Sequence, residues 1–133
     1  MAGGVNRASG VLIRGVQTSS ENLVASPKLN VAYTWAMDGI RFCDLGAIED
    51  ALTPSEALNV GNVDILFLPT GSSQTFNAEK RRITIERLRP KIIIPTGEWA
   101  YGRANVVRIR GNRLTLTAAQ LPASTTVYLP SLR

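Results

Sequence analysis

Apolar and polar positions alternate in several distinct rhythms along this chain, and each rhythm predicts an element. Val11-Leu12-Ile13-Arg14-Gly15-Val16 reads as a strand, followed by a polar loop from Gln17 to Asn22. Asn30 to Ala36 alternates in polarity, reaches Asp38-Gly39 and resumes as Ile40-Arg41-Phe42-Cys43. Asp-Gly between two such runs signals a hairpin, because both central residues of the tight turn need positive φ. Thr53-Pro54-Ser55-Glu56 is a helix start, with a Thr cap, proline at the first helical position and an acid at the third; the helix should end near Asn59 to Gly61. Asp64 to Pro69 and Lys91 to Pro95 are continuous apolar runs, as expected of strands buried on both faces. Between them Asn77 caps a helix over Ala78 to Leu88, its apolar side carrying Ile83, Ile85 and Leu88, and Arg89-Pro90 stops it. Strand, helix and strand at this spacing predict a βαβ unit with adjacent parallel strands. In the tail, Val106 to Arg110, a turn at Gly111-Asn112 and Arg113 to Thr117 predict a second hairpin, and Thr125 to Leu129 a last strand. The expected fold is α/β, a mixed β-sheet with two helices on one face. Residues 1–10 are expected to form a flexible N-terminal segment and 11–133 a single domain.

Composition narrows the chemistry. With 133 residues, 44% of them hydrophobic and 19% charged, one ordinary globular domain is expected. No apolar run approaches the roughly 20 residues that span a bilayer, and the N-terminus lacks a signal-like apolar segment. A cytoplasmic protein without a membrane partner is expected. One cysteine, Cys43, allows no intramolecular disulfide. Zero histidines exclude a His-based zinc site, a Ser-His-Asp triad and a Cys-His dyad within the chain.

The charge is uneven. Residues 79–113 hold ten basic and three acidic residues, whereas the whole chain nets only +5. A solvated helix face plus outward strand positions accounts for such a run. A polyanion surface, RNA included, would use Arg81, Arg82, Arg108 and Arg110, although no aromatic residues interleave with them as a stacking platform requires.

Several segments resemble metallo-β-lactamase-fold hydrolases, in the branch that contains L-ascorbate-6-phosphate lactonase. They are Asp38-Gly39-Ile40-Arg41-Phe42-Cys43-Asp44-Leu45-Gly46-Ala47-Ile48 with Leu52-Thr53, then Val63 to Gly71, Leu88 to Gly97, and Leu121-Pro122 with Thr125 to Leu129. They stand in the family's order over roughly residues 11–130. The resemblance implies a four-layer αββα sandwich of two similar halves with a di-metal site between them, of which this chain resembles the second half. The His-x-His-x-Asp-His motif of the first half is absent. The family's metal aspartate falls on Ala47 and a metal histidine on Gly97. A further histidine falls on Ser19 or Ser20, and the histidine before Leu-Gly is Asp44. Neither a methyl group nor a glycine offers a donor atom, so no metal, no cofactor and no catalytic residue is expected.

Smaller constellations have bland and functional readings. Asp44, Glu49 and Asp50 form either a solvated loop or a hard-cation site. Thr70-Gly71-Ser72-Ser73-Gln74 is a strand-to-helix loop that lacks the phosphate-loop pattern, with anion binding as the alternative. Trp99 and Tyr101 with Arg103 either cover the sheet end or form an interface. A half-sandwich would leave Val31, Tyr33, Trp35, Ile109, Leu114 and Leu116 on an apolar face too large for a monomer. A homodimer, or another protein, should cover it through Tyr33, Trp35, Trp99, Tyr101, Leu114 and Leu116. The expected function is thus a non-catalytic oligomeric scaffold or assembly subunit. The alternatives are a polyanion-binding protein and a split hydrolase completed by a second chain, the latter still lacking donors at Ala47 and Gly97.

Overall fold

Four antiparallel strands open the chain: β1 (Gly4–Ala8), β2 (Val11–Thr18), β3 (Asn30–Met37) and β4 (Ile40–Asp44). The expected hairpin joins β3 to β4, and its turn residues Asp38 and Gly39 both have positive φ, 53° and 77°. After α1 (Pro54–Val60) come β5 (Ile65–Leu68), α2 (Ala78–Leu88) and β6 (Ile92–Pro95), then β7 (Asn105–Ile109) and β8 (Thr126–Pro130). The computed structural model describes residues 4–8, 10–18, 30–70, 75–97, 105–109, 111 and 113–130. Their strands form one mixed sheet in the order β1-β2-β3-β4-β5-β6-β8-β7, parallel from β4 onward. The βαβ unit is present, with Ile65 beside Ile92 and Phe67 beside Ile94.

Both helices start where side chains satisfy orphan backbone groups. The Thr53 hydroxyl accepts from the Glu56 N–H (3.1 Å) while the Glu56 carboxylate accepts from the Thr53 N–H (2.9 Å), and Asn77 accepts from the Lys80 N–H (3.0 Å). They pack on one sheet face. There Cys43, Leu66, Ile93 and Val127 of the strands meet Leu52, Val60, Phe76 and Leu88, all buried.

Residues 4–8 pair along the edge that β2 offers, with Ala8 opposite Val11 and Gly4 opposite Gly15. One expectation needs correction. The second hairpin does not form. β7 pairs in parallel with β8, Val107 beside Tyr128, and Arg113–Thr117 belongs to no strand. Strand-like alternation cannot distinguish a ladder from a strap, and here burial of leucines decides. Leu116 and Leu121 pack on the cluster of Ile40, Ile65 and Ile92, on the face opposite the helices. The 3-10 turn Ala118–Gln120 brings the Ala118 methyl to 3.6 Å from where a Cβ on Gly39 would lie, so this strap reaches the β3–β4 turn.

Among the described residues, the strap covers the middle of that face but not β2 and β3. Ring stacking there joins Trp35 to Phe42 (centroids 5.4 Å) and to Phe67 (6.2 Å). Tyr33 (45% exposed) and Met37 (43%) share the Trp35 side of β3 and face solvent. Among the described residues no helix is long and apolar enough to cross a membrane.

Candidate functional site

The carboxyl ends of β4, β5 and β6 lie side by side because the three strands are parallel and adjacent. In open α/β sheets this edge is where strand-end loops gather a site. Asn30, the first residue of β3, organises it. Its amide donates to the Leu45 carbonyl (2.7 Å) and the Thr18 hydroxyl (3.1 Å), and its carbonyl accepts from the Ala47 N–H (2.9 Å). Asp44 is exposed, and one of its carboxylate oxygens accepts from the Gly46 N–H at 2.9 Å. Gly46 has φ of 65°, and a Cβ there would sit 2.8 Å from the Asn30 carbonyl oxygen, so glycine is required twice over. On the next strand the buried Thr70 hydroxyl accepts from the Gly97 N–H (3.1 Å), and the Thr96 N–H donates to Leu68 (2.9 Å).

Ala47 and Gly97 are both exposed at this edge and bring no side-chain donor. Ser19, Ser20 and residues 71–74 lie outside the described residues. Among the described residues nearest these strand ends, Asp44 offers a carboxylate that already accepts from its own loop, Asn30 an amide, and Thr18, Thr70 and Thr96 hydroxyls. Zinc takes thiolate, imidazole or carboxylate ligands, usually three or four of them, and this set does not fit it. Among the described residues no three His, Cys, Asp or Glu side chains gather. Cys43 is no substitute nucleophile. It sits fully buried on the helix side, where burial first and the Asp44 carboxylate second push its thiol up to about 12. The acidic group disperses likewise: the Asp50 carboxylate pairs with Lys80 at 2.8 Å, and Lys80 also donates to the Glu49 carbonyl.

The other candidate residues separate in space. Tyr33 and Trp35 lie on the uncovered part of the second face, whereas Leu114 and Leu116 are half-buried, Leu116 serving this chain's own core. Trp99, Tyr101 and Arg103 lie outside the described residues. Of the four arginines considered for polyanions, Arg81 is 6% exposed and donates to the Phe76 carbonyl at 2.6 Å, so it does not face solvent. Arg82 is exposed but lies between Glu79 and Glu86, and Arg108 is exposed on β7. Arg110 lies outside the described residues.

The sequence reading passed over a second concave surface, at the amino ends of the same parallel strands. A groove of about 590 Å³ is lined there by Arg41, Arg87, Arg89 and Lys91, by Asp64, and by the Pro54–Leu58 side of α1. Asp64 and Lys91 each stand immediately before a buried strand, a repeated position that marks this end of the sheet.

The family model for the beta-lactamase superfamily domain matches residues 2–97. No curated protein matches the chain. Among solved structures the fold is similar to a protein from Thermotoga maritima described as a Zn-dependent hydrolase of the metallo-beta-lactamase superfamily. The TM-score is 0.73 at 22% identity, and the match covers 96% of this chain and 70% of that one.

Proposed function

The chain belongs to the beta-lactamase superfamily, and we propose that it is a metal-free, non-catalytic member that acts as a cytoplasmic oligomeric scaffold, a second copy covering its second sheet face. The segments quoted above support membership of the branch that contains L-ascorbate-6-phosphate lactonase. Loss of hydrolysis is supported by the donor chemistry at the carboxyl edge, where Ala47 and Gly97 occupy the positions that the resemblance assigns to metal ligands.

The observation that carries the scaffold reading is the uncovered apolar half of that face. Trp35 lies stacked on Phe42 and Phe67, and Tyr33 and Met37 stand exposed beside it. Among the described residues, the internal strap packs Leu116 and Leu121 on the cluster around Ile40, Ile65 and Ile92. A self-complementary apolar sheet face is what a two-fold dimer buries, and aromatic residues at the centre of such a patch carry most of its affinity.

Native mass spectrometry of the purified protein tests both parts. A metal-free dimer of the 14.4 kDa chain is expected, with Tyr33→Glu and Met37→Glu each shifting it to monomer. A wild-type monomer would overturn the scaffold reading, and a stable heteromer would replace the second copy with another protein. Stoichiometric zinc, or hydrolase activity that chelator abolishes, would overturn the metal-free reading.

A further inference from the structure

We infer that the groove at the amino ends of β5 and β6 is a binding site for a small phosphate monoester with an apolar body. It lies at the end of the sheet opposite the carboxyl edge and on the helix side, apart from the face proposed for the dimer. Its walls carry Arg41, Arg87, Arg89 and Lys91 against a single carboxylate, Asp64, an excess of three positive charges. Local structure accounts for only two of these cations. Arg87 donates to the Leu52 carbonyl, and Lys91 lies 3.7 Å from Asp64.

The other two cations have no such role. The carbonyls at the end of α1 are already met by Arg14, at 2.6 and 3.1 Å from Asn59 and Val60, so Arg41 is not needed there. Asp64 takes the Arg41 backbone N–H at 2.8 Å, not the guanidinium. Arg41 and Arg89 have no ion-pair partner among the described residues. Arg89 also holds the left-handed position after α2, with φ of 48°, where glycine or asparagine is the usual occupant. Keeping an arginine at that position costs about 1 kcal/mol of backbone strain, and it sets a guanidinium at the groove.

The ligand class follows from volume, charge and the apolar part of the lining. About 590 Å³ lies within the range of small-molecule sites and is far too small for a nucleic-acid duplex. A phosphate monoester is close to a dianion at neutral pH, which suits the surplus charge and the planar forks of two arginines. The same groove is lined by Pro54, Ala57 and Leu58 of α1, and Leu58 is 82% exposed. That wall gives an apolar ester group a place to rest.

Calorimetric titration with phenyl phosphate and, separately, inorganic phosphate tests the assignment. Saturable binding of both is expected, tighter for phenyl phosphate. Arg41→Gln and Arg89→Gln should each weaken both ligands about tenfold, the loss of a charge-assisted hydrogen bond. Leu58→Ser should weaken phenyl phosphate alone, and Arg108→Gln neither. All four side chains are exposed, so these variants should fold, and circular dichroism checks that they do. Absence of saturable binding would overturn the site, as would an Arg108→Gln loss equal to that of Arg41→Gln. Equal affinity for the two ligands would overturn the apolar part.

Discussion

Replacing Asn30 with alanine should destabilise the protein by about 3 kcal/mol. One side chain joins β2, β3 and the loop after β4: its amide donates to Leu45 and Thr18, and its carbonyl accepts from the Ala47 N–H, at 2.7, 3.1 and 2.9 Å. Each such bond contributes about 1 kcal/mol net. Leu45 and Thr18 are buried, so water does not readily replace the lost partner. Urea unfolding followed by circular dichroism should show the midpoint falling without a change in slope, and the melting temperature dropping by roughly 10 °C. Asn30→Asp separates hydrogen bonding from shape. It keeps the acceptor for Ala47 but sets a carboxylate oxygen against the Leu45 carbonyl where a donor stood. The folded state then favours the protonated acid and raises its pKa above the unfolded value. Stability is therefore fully present at pH below about 4 and lost as pH rises through the folded pKa. A loss below about 1 kcal/mol for Asn30→Ala, or an Asn30→Asp protein as stable as wild type at pH 7, would refute the account of Asn30 as the tie.

Three further outcomes follow from the same structure. Gly46→Ala should cost more than about 1 kcal/mol, because positive φ and the 2.8 Å approach to Asn30 act together; thermal melting checks it, and Asn30→Ala should recover part of the loss. Thr53→Ala should remove about 1 kcal/mol by uncapping α1, read from urea unfolding. For Cys43 the thiol ionises more readily unfolded (9.0) than folded (about 12). Its contribution is thus fully present below pH 9 and declines as pH rises toward 12. The alkaline fall in stability should be shallower in Cys43→Ala, and a thiol reagent at pH 8 should label native protein only through unfolding.

Elements whose signals are local were legible in the sequence. Thr53-Pro54-Ser55-Glu56 carries its capping box within four residues, Asp38-Gly39 its turn, and the apolar runs around β5 and β6 their burial. Elements decided by a distant competitor were not. The alternation in Val106–Thr117 suits a hairpin, but β8 offers β7 a parallel partner and the Ile40, Ile65 and Ile92 cluster offers Leu116 a place to bury. Nothing local to Gly4–Ala8 reveals that β2 has a free edge for it. At the carboxyl edge, Ala47 and Gly97 follow β4 and β6, strands whose apolar runs the sequence displays. The role of Asn30 was not legible, because its partners lie 12 to 17 positions away.

Charge shows most clearly why a linear reading misplaces a site. Residues 79–113 look like one basic surface when counted along the chain, yet folding distributes them to unrelated fates. The helical repeat turns Arg81 inward to cap the chain entering α2, while Arg82 is held by Glu79 and Glu86 on the outer face. Two other members of the run, Arg89 and Lys91, flank Pro90 at the start of β6 and so arrive at the amino edge of the parallel strands. Parallel pairing of β4, β5 and β6 brings Arg41, from outside the basic run, to the same edge beside Asp64. Cations from both sides of a crossover thus converge on a groove, whereas neighbours in sequence do not. If that convergence binds phosphate, the determinant is sheet topology, and removing the charge of Arg82 on the outer face of α2 should leave binding unchanged while removing Arg41 should not.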